Sequence, residues 1–441
     1  MANSPRTWLI LSHAFNMDGR AASQTITDKI PRLRERGINP VVISAITGRK
    51  DTEIEHHQLL PRAPSGIRFD LRHYWPRRFK SPATAKFVKN LCSALIAPFY
   101  GIERAFLHRE PHWSWYMSAY RRGLKLVRKH KPEVILSTGG ASSAHYAGYL
   151  LAKKTGLPWL IEVHDPMIFK DWYGSAQAYE WNAYLESLFC QYGDVVWWFT
   201  PEAHKRALAR HPELDGYGHV VLPGALKPDF EGMRYAKGDL LNISHSGSLS
   251  STRSLKPFLE ALVLVFEKRP ELRQVVRLNV YGSGLDGVTR KAIKATGLDD
   301  VVVAHGRLEL DPATGKSGRQ RVLEAMRTSD LLLLVHGTGA FTEEYIPSKF
   351  YEYLWAQRPI LGLRRNNDDI KALFDATGNR MFNEDDTAAI AEAVLDTAAR
   401  WEADDLPDTG VDSPYTVEGA VDRIVDITDK TLTERGVRPK R

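Results

Sequence analysis

The chain has 441 residues, 43% hydrophobic and 26% charged, the composition of a soluble globular protein too long for one core and suited to two domains. No apolar run reaches the ~18 residues that a membrane span needs, and the two cysteines, Cys92 and Cys190, supply neither a disulfide framework nor zinc spacing. The net charge of +7 is uneven, because residues 68–131 hold fifteen Lys/Arg against three Asp/Glu.

In chain order, residues 8–12 read as a buried first strand rather than a leader, and residues 22–36 as one helix ended by Gly37. Residues 40–45 form a second strand. A basic, aromatic insertion follows over residues 68–109, with Tyr74, Trp75, Phe79, Phe99, Tyr100 and Phe106 among its cations. Within it, residues 87–102 are apolar but carry Lys89 and Pro98, so they predict at most an interfacial helix. The excess of cations over residues 68–131 suits an anionic surface: membrane head groups, an anionic lipid-linked acceptor or nucleic acid. No nucleic-acid-binding signature supports the last, and a solvated basic helix face competes equally with any specific role.

Residues 133–137, 159–163 and 195–200 read as strands, with helices over 142–155, 179–192 and from Pro201. The second half repeats the rhythm, with strands at 242–246, 278–281, 301–304, 331–335 and 359–363. Helices fall at 255–268 and 322–327, from Pro347, and twice more beyond. This βαβα alternation predicts an α/β chain of two doubly wound, Rossmann-like domains facing a cleft. The expected boundaries are 1–224, 225–412 and a C-terminal helix in 413–441 that packs back on the first domain, its last six residues frayed.

In such sheets ligands bind beyond the carboxyl ends of the strands, and the chemistry-bearing residues gather there. Gly19 follows the first strand. Gly139 and Gly140 follow 133–137, and His164 and Asp165 follow 159–163. Gly247 follows 242–246, Gly282 and Gly284 follow 278–281, and His305, Gly306 and Arg307 follow 301–304.

The richest stretch runs from Thr342 to Leu354. Glu344 and Glu352 bracket Pro347-Ser348-Lys349, with Pro347 expected at the first helical position. The N–H groups of Ser348 and Lys349 would then open the helix toward an anion, with the Lys349 charge beside them. Glu352, four residues after Ser348, shares its face one turn further in. Phosphate at the helix tip and a hydroxyl-binding carboxylate below it fit a nucleoside diphosphate and its ribose. A capped helix with solvated charges explains any one of these residues, but not the constellation.

Other candidates have plainer rivals. Gly282-Ser283-Gly284-Leu285-Asp286-Gly287 matches G-x-G-x-x-G but follows the second strand of its domain, and no acidic residue ends the next strand. A loop against a nucleotide base therefore fits better than a nicotinamide site. Arg253 opens a helix and suits a diphosphate, or is a surface arginine. His164-Asp165-Pro166 offers an imidazole to a sugar hydroxyl, or is a buried structural histidine; a metal phosphohydrolase would need further ligands, which are missing. His145 is better read as structural.

These residues resemble a GT-B glycosyltransferase of the retaining, family 4-like kind. Glu344 to Glu352 is similar to that family's E-x7-E element, and Pro347-Ser348-Lys349-Phe350-Tyr351-Glu352-Tyr353 to its P-S-K-x-x-E-Y segment. Ser246-Gly247-Ser248-Leu249 with Arg253, Ala304-His305-Gly306-Arg307, Ser137-Thr138-Gly139-Gly140 and residues 158–166 resemble it too. The likeness covers nearly the whole chain outside residues 51–112. Ser248 departs from it, standing where many members carry an arginine.

The resemblance implies a nucleotide-sugar co-substrate held by the second domain, with no metal and no other cofactor. Arg253 and Lys349 would neutralise the diphosphate, Glu352 would hold the ribose and Glu344 would contact the donor sugar. Gly282, Gly284, His305, Gly306 and Arg307 would frame the base. Gly19 would approach the diphosphate and His164 a sugar hydroxyl. The expected activity is sugar transfer to a glycan or lipid-linked acceptor in cell-surface polysaccharide or lipopolysaccharide assembly. The expected setting is the cytoplasm, peripheral on the inner face of the membrane. The alternatives are a nucleotide-sugar epimerase or hydrolase on the same fold, or a degenerate, non-catalytic assembly partner.

Overall fold

The computed structural model describes residues 6–17, 20–169, 174–230, 233–406 and 408–440. The chain packs as two compact units, one formed by Met1–Pro223 with Val417–Arg441 and one by Gly224–Thr416.

The first unit holds a seven-stranded parallel sheet. Its strands are β1 (Arg6–Leu11), β2 (Ile38–Ala45), β3 (Glu55–Leu59), β4 (Val134–Gly139), β5 (Trp159–Val163), β6 (Val195–Trp198) and β7 (Gly218–Val220), in the order β3-β2-β1-β4-β5-β6-β7. The central strands are continuous apolar runs because helices cover both of their faces. Trp8, Trp159, Trp197 and Trp198 are buried in them. The edge strand β3, Glu-His-His-Gln-Leu, shows no apolar alternation and pairs with β2 from Val41↔Glu55 onward, so only its partner reveals it.

Residues 22–36 are not one helix. They form Ala21–Thr27 and Ile30–Glu35, broken ahead of Pro31, which has no N–H to give and whose ring clashes with the carbonyl four residues back. The insertion folds as two long helices, Pro64–Arg78 and Pro82–Phe106.

The Val417–Arg435 helix belongs to this unit. Its Val421, Ile424 and Val425 are buried, and Asp422 accepts from the Arg32 Nε at 3.0 Å and the Arg36 guanidinium at 2.9 Å. The following residues are anchored rather than frayed. Asp194, fully buried, accepts from the Arg438 N–H at 2.6 Å and pairs with Lys440 Nζ at 2.8 Å. A buried carboxylate needs such partners.

The second unit holds a six-stranded parallel sheet of β8 (Leu241–Ser246), β9 (Val276–Tyr281), β10 (Val302–Gly306), β11 (Leu331–Val335), β12 (Ile360–Arg364) and β13 (Arg380–Asn383), ordered β10-β9-β8-β11-β12-β13. The Lys256–Lys268 and Thr387–Glu402 helices bury Phe258, Leu262, Ile390 and Val394 in its core. Each sheet reverses its winding once, between β1 and β4 in the first unit and between β8 and β11 in the second. That is where a doubly wound sheet opens a crevice at its carboxyl edge.

Candidate active site

The richest constellation lies at the β8/β11 reversal of the second unit. β8 ends at Ser246, and its N–H donates to the Tyr353 hydroxyl at 2.8 Å, which in turn reaches the Leu333 carbonyl of β11 at 3.3 Å. Tyr353 thereby pins the Ser348–Trp355 helix across the ends of both strands. Pro347 is the N-cap of this helix rather than its first residue, with φ −61° and ψ 129°, and no side chain caps the helix. Ser348 and Lys349 are its first two residues, so their N–H groups lack intrahelical acceptors.

Arg253 arrives from the loop after β8. Its guanidinium donates to the Tyr345 hydroxyl and lies 5.6 Å from the ring centre. The two loops are also stitched through backbone, with the Thr338 N–H donating to the Thr252 carbonyl at 2.8 Å. His336 and Asn367 hold the turn that carries Glu344: His336 Nε2 donates to the Tyr345 carbonyl at 2.8 Å, and Asn367 Nδ2 to the Thr342 and Tyr345 carbonyls at 2.7 and 2.9 Å. Glu344 ends a 3-10 turn, Ala340–Glu344, and is only 2% exposed.

Lys349 and Glu352 form an ion pair, and Arg319 stands 3.6 Å from the same carboxylate. His245, near the end of β8, senses both cations. Burial first, and then the charges of Arg253 and Lys349, push its imidazole down to about 4. Its Nδ1–H donates to the Leu333 carbonyl at 3.0 Å, and its Nε2 is buried without a hydrogen-bond partner among the described residues. The charges of Arg253 and Lys349 therefore both act on His245 although 96 positions separate them.

The glycine-marked strand ends form an adjoining row. The Gly247 N–H donates to the Tyr281 carbonyl at 2.8 Å and the Gly282 N–H to the Gly306 carbonyl at 2.9 Å. A Cβ at Gly282 would stand 1.9 Å from the Gly247 carbonyl oxygen, a closeness that only glycine permits. His305 stacks on Tyr281, ring centres 4.5 Å apart, and donates to Asn279 Oδ1 at 2.8 Å. Gly284 has nothing within 4 Å of its Cβ position, and Arg307 is exposed beside Glu309, so these two stand outside the packed row.

His164 and Gly19 belong to the first unit. Gly19 lies outside the described residues. His164 Nε2 donates to Glu162 Oε1 at 2.8 Å and lies 3.1 Å from Thr138 Oγ1. The orienting carboxylate is thus Glu162, two residues before it in the strand, and not the adjacent Asp165. With Nε2 committed as donor, a neutral His164 presents Nδ1 as an acceptor. Burial alone would raise the Glu162 carboxyl, but Lys29 and His164 outweigh it and hold it below the ordinary carboxylate range. His145 is structural: it is fully buried, with Nδ1 3.0 Å from Ser137 Oγ and Nε2 donating to the Gly139 carbonyl at 2.9 Å.

Sequence reasoning gave no role to His245, Tyr345, Tyr353, Arg319 or Glu162. The one local signal was polarity inside apolar strands, Ser244-His245-Ser246 in β8 and Glu162 in β5. Among the described residues no group of three or more His, Cys, Asp or Glu is arranged to hold a metal ion.

The two buried imidazoles make the second unit acid-sensitive. His245 and His336 both sit at about 4, chiefly through burial, against ~6.5 in an unfolded chain. On acidification the unfolded chain binds protons first. Stability is therefore present above about pH 6.5, falls as pH drops toward 4, and levels below that. Unfolding midpoints measured from pH 7.5 to 4.5 should decline, and His336→Gln, whose amide nitrogen reaches the Nε2 position but cannot titrate, should flatten the slope. An identical slope in the variant would remove His336 from the account.

No protein-family model matches the chain, and neither does any curated protein. Solved structures do match over nearly the full length. An α,α-trehalose 6-phosphate synthase from Burkholderia multivorans is 13% identical, with 98% of this chain and 99% of that chain covered and a TM-score of 0.61. A sucrose-phosphate synthase from Thermosynechococcus elongatus is 12% identical over 98% and 100%, with a TM-score of 0.60. WaaG, a glycosyltransferase involved in lipopolysaccharide biosynthesis, is 12% identical over 96% and 99%, with a TM-score of 0.55. The shared feature is the fold, two Rossmann-like domains of the GT-B type.

Proposed function

We propose that the chain is a glycosyltransferase that moves a sugar from a nucleoside diphosphate to a glycan or lipid-linked acceptor, with retention, in the assembly of cell-surface polysaccharide or lipopolysaccharide. The observation that carries this reading is the convergence of Arg253, Lys349 and an uncapped helix tip at the β8/β11 reversal, with a buried carboxylate, Glu352, one turn below. As the bond to the donor sugar breaks, negative charge grows on the leaving diphosphate. Fixed cations and helix N–H groups aimed at that charge lower the barrier without reorganising.

In this reading Glu352 exchanges Lys349 for the ribose hydroxyls, and the released ammonium turns to the phosphates. Glu344, held by the His336–Asn367 staple, contacts the donor sugar. The row from Gly247 to Gly306 leaves backbone room for the nucleotide, and His305 with Tyr281 forms a flat wall for the base. His164, oriented by Glu162, addresses a sugar hydroxyl.

The test is calorimetric titration with UDP-, GDP-, ADP-, dTDP- and CMP-sugars, followed by turnover with and without extracted glycan or glycolipid acceptors. One nucleotide class should bind at micromolar affinity, and its donor should be consumed much faster with acceptor present. Equal turnover without acceptor would favour an epimerase or hydrolase. No binding by the folded protein would favour a non-catalytic partner.

A further inference from the structure

The Pro82–Phe106 helix of the first unit is amphipathic the wrong way round. Phe87, Leu91, Leu95, Phe99, Ile102 and Phe106 are between 49% and 76% exposed. They recur every three or four residues, which at 3.6 residues per turn gathers them within about a third of the helix circumference. From Asn90 to Phe106 no exposed position of this helix is charged. Its two charged residues there turn inward. Glu103 accepts from the Ser65 N–H and from Trp113 Nε1, each at 2.7 Å, and Arg104 donates to the Arg109 carbonyl at 2.8 Å. Tyr100 lies under the Arg68 guanidinium at 4.8 Å. The polar side is anchored to the protein and the apolar side is bare, the reverse of a helix folded for water. Bare apolar stripes of this size mark a surface that another phase or molecule covers.

The flanking charge selects between covers. Residues 71–102 contain six Lys/Arg and no Asp/Glu. Arg78, Lys80 and Lys86 are exposed around the turn between the two long helices. A second copy of this chain would match the apolar stripe but would also repeat the cationic corner, leaving its charge uncompensated. A bilayer with anionic head groups satisfies both. Among the described residues no helix is long and apolar enough to cross a membrane, and the inward polar anchors hold this one along the protein. The stripe, roughly 28 Å long at 1.5 Å per residue, therefore suits a helix lying in the plane of the head-group boundary.

We propose that this face seats the first unit on an anionic lipid bilayer, with the six apolar side chains entering the acyl boundary and the Arg78–Lys86 corner on the lipid phosphates. The inference is independent of the donor-site reading.

The test is flotation of the full chain with phosphatidylcholine vesicles, with and without about a quarter phosphatidylglycerol, alongside light scattering without lipid. The wild type should float with the anionic vesicles and lose part of that binding in high salt. Leu95→Glu with Phe99→Glu should lower partitioning at least tenfold at an unchanged unfolding midpoint, because both positions are exposed. Arg78→Gln, Lys80→Gln and Lys86→Gln together should remove the preference for the anionic vesicles. The proposal is overturned if the Glu variant floats like wild type. It is also overturned if wild type stays unbound to both vesicles, and a dimer that the Glu variant dissociates would then identify a second copy as the cover.

Discussion

Glu352→Ala is expected to weaken nucleotide-sugar binding by roughly 10- to 150-fold, the effect of losing a charge-assisted hydrogen-bond partner worth about 1.5–3 kcal/mol. The carboxylate is nearly buried and faces two cations, Lys349 and Arg319. Removing it frees both cations, so the change should have opposite effects on the two halves of the ligand. Affinity for the nucleoside diphosphate falls with the ribose contact, while inorganic pyrophosphate binds as well as before or better. Calorimetry with both ligands on wild type and variant distinguishes this from general damage to the helix, which would weaken both. Unchanged nucleotide affinity would sink the ribose assignment.

Lys29→Met is expected to lower the unfolding midpoint of the first unit on the order of 10 °C. Lys29 and Glu162 are both buried and paired, and breaking such a pair by removing one partner costs about 3–5 kcal/mol. The Glu162 carboxylate would keep Thr138 at 2.6 Å, His164 at 2.8 Å and Trp197 at 3.2 Å but would lose its counter-charge. In wild type its acid form is disfavoured, so this group stabilises above the unfolded carboxyl range near ~4.3 and loses that contribution as pH falls below it. Without Lys29, burial dominates and the folded carboxyl is raised instead, so acid relieves the defect. The gap in midpoint between wild type and Lys29→Met should therefore narrow from pH 7 to pH 4, and Lys29→Met with Glu162→Gln should recover part of the loss at neutral pH. An unaltered midpoint in Lys29→Met would show that the pair contributes nothing. Glu162 also holds His164, so the same network that stabilises the fold aims the proposed sugar-binding imidazole.

Some of this site was legible in the sequence because its logic is local. Ser348, Lys349 and Glu352 lie within one and a half turns of a single helix, where spacing alone decides which residues share a face. The glycines after β8 and β9 and at the end of β10 were legible for a related reason, since strand ends announce themselves by a change from apolar to turn-forming residues. The fold class followed from the same alternation.

Other features needed partners far away in the chain. His245 reads as one more polar residue until the charges of Arg253 and Lys349 are found to act on it. Glu162 is a lone carboxylate in an apolar strand, and its role appears only with Lys29, 133 positions earlier. Helix continuity from 22 to 36 was judged by periodicity, while Pro31 and the buried Lys29 decided otherwise. The C-terminal residues were expected to fray as termini do, yet Arg438 and Lys440 are held by Asp194, more than 240 positions earlier.

The Pro82–Phe106 helix marks the division most clearly. Its apolar period was written in the sequence, and apolar periods ordinarily face a core. Which way the stripe points depends on Glu103, Arg104 and Tyr100 finding their partners in the helix before and the segment after. The sequence by itself determined what is set within a few residues: the type of most strands and helices, the start of the Ser348–Trp355 helix to within one residue and the charge of each stretch. The tertiary structure alone decided which charges are buried together, which histidine is held by which carboxylate, and which apolar face is left bare, because those depend on contacts between segments that local spacing does not encode.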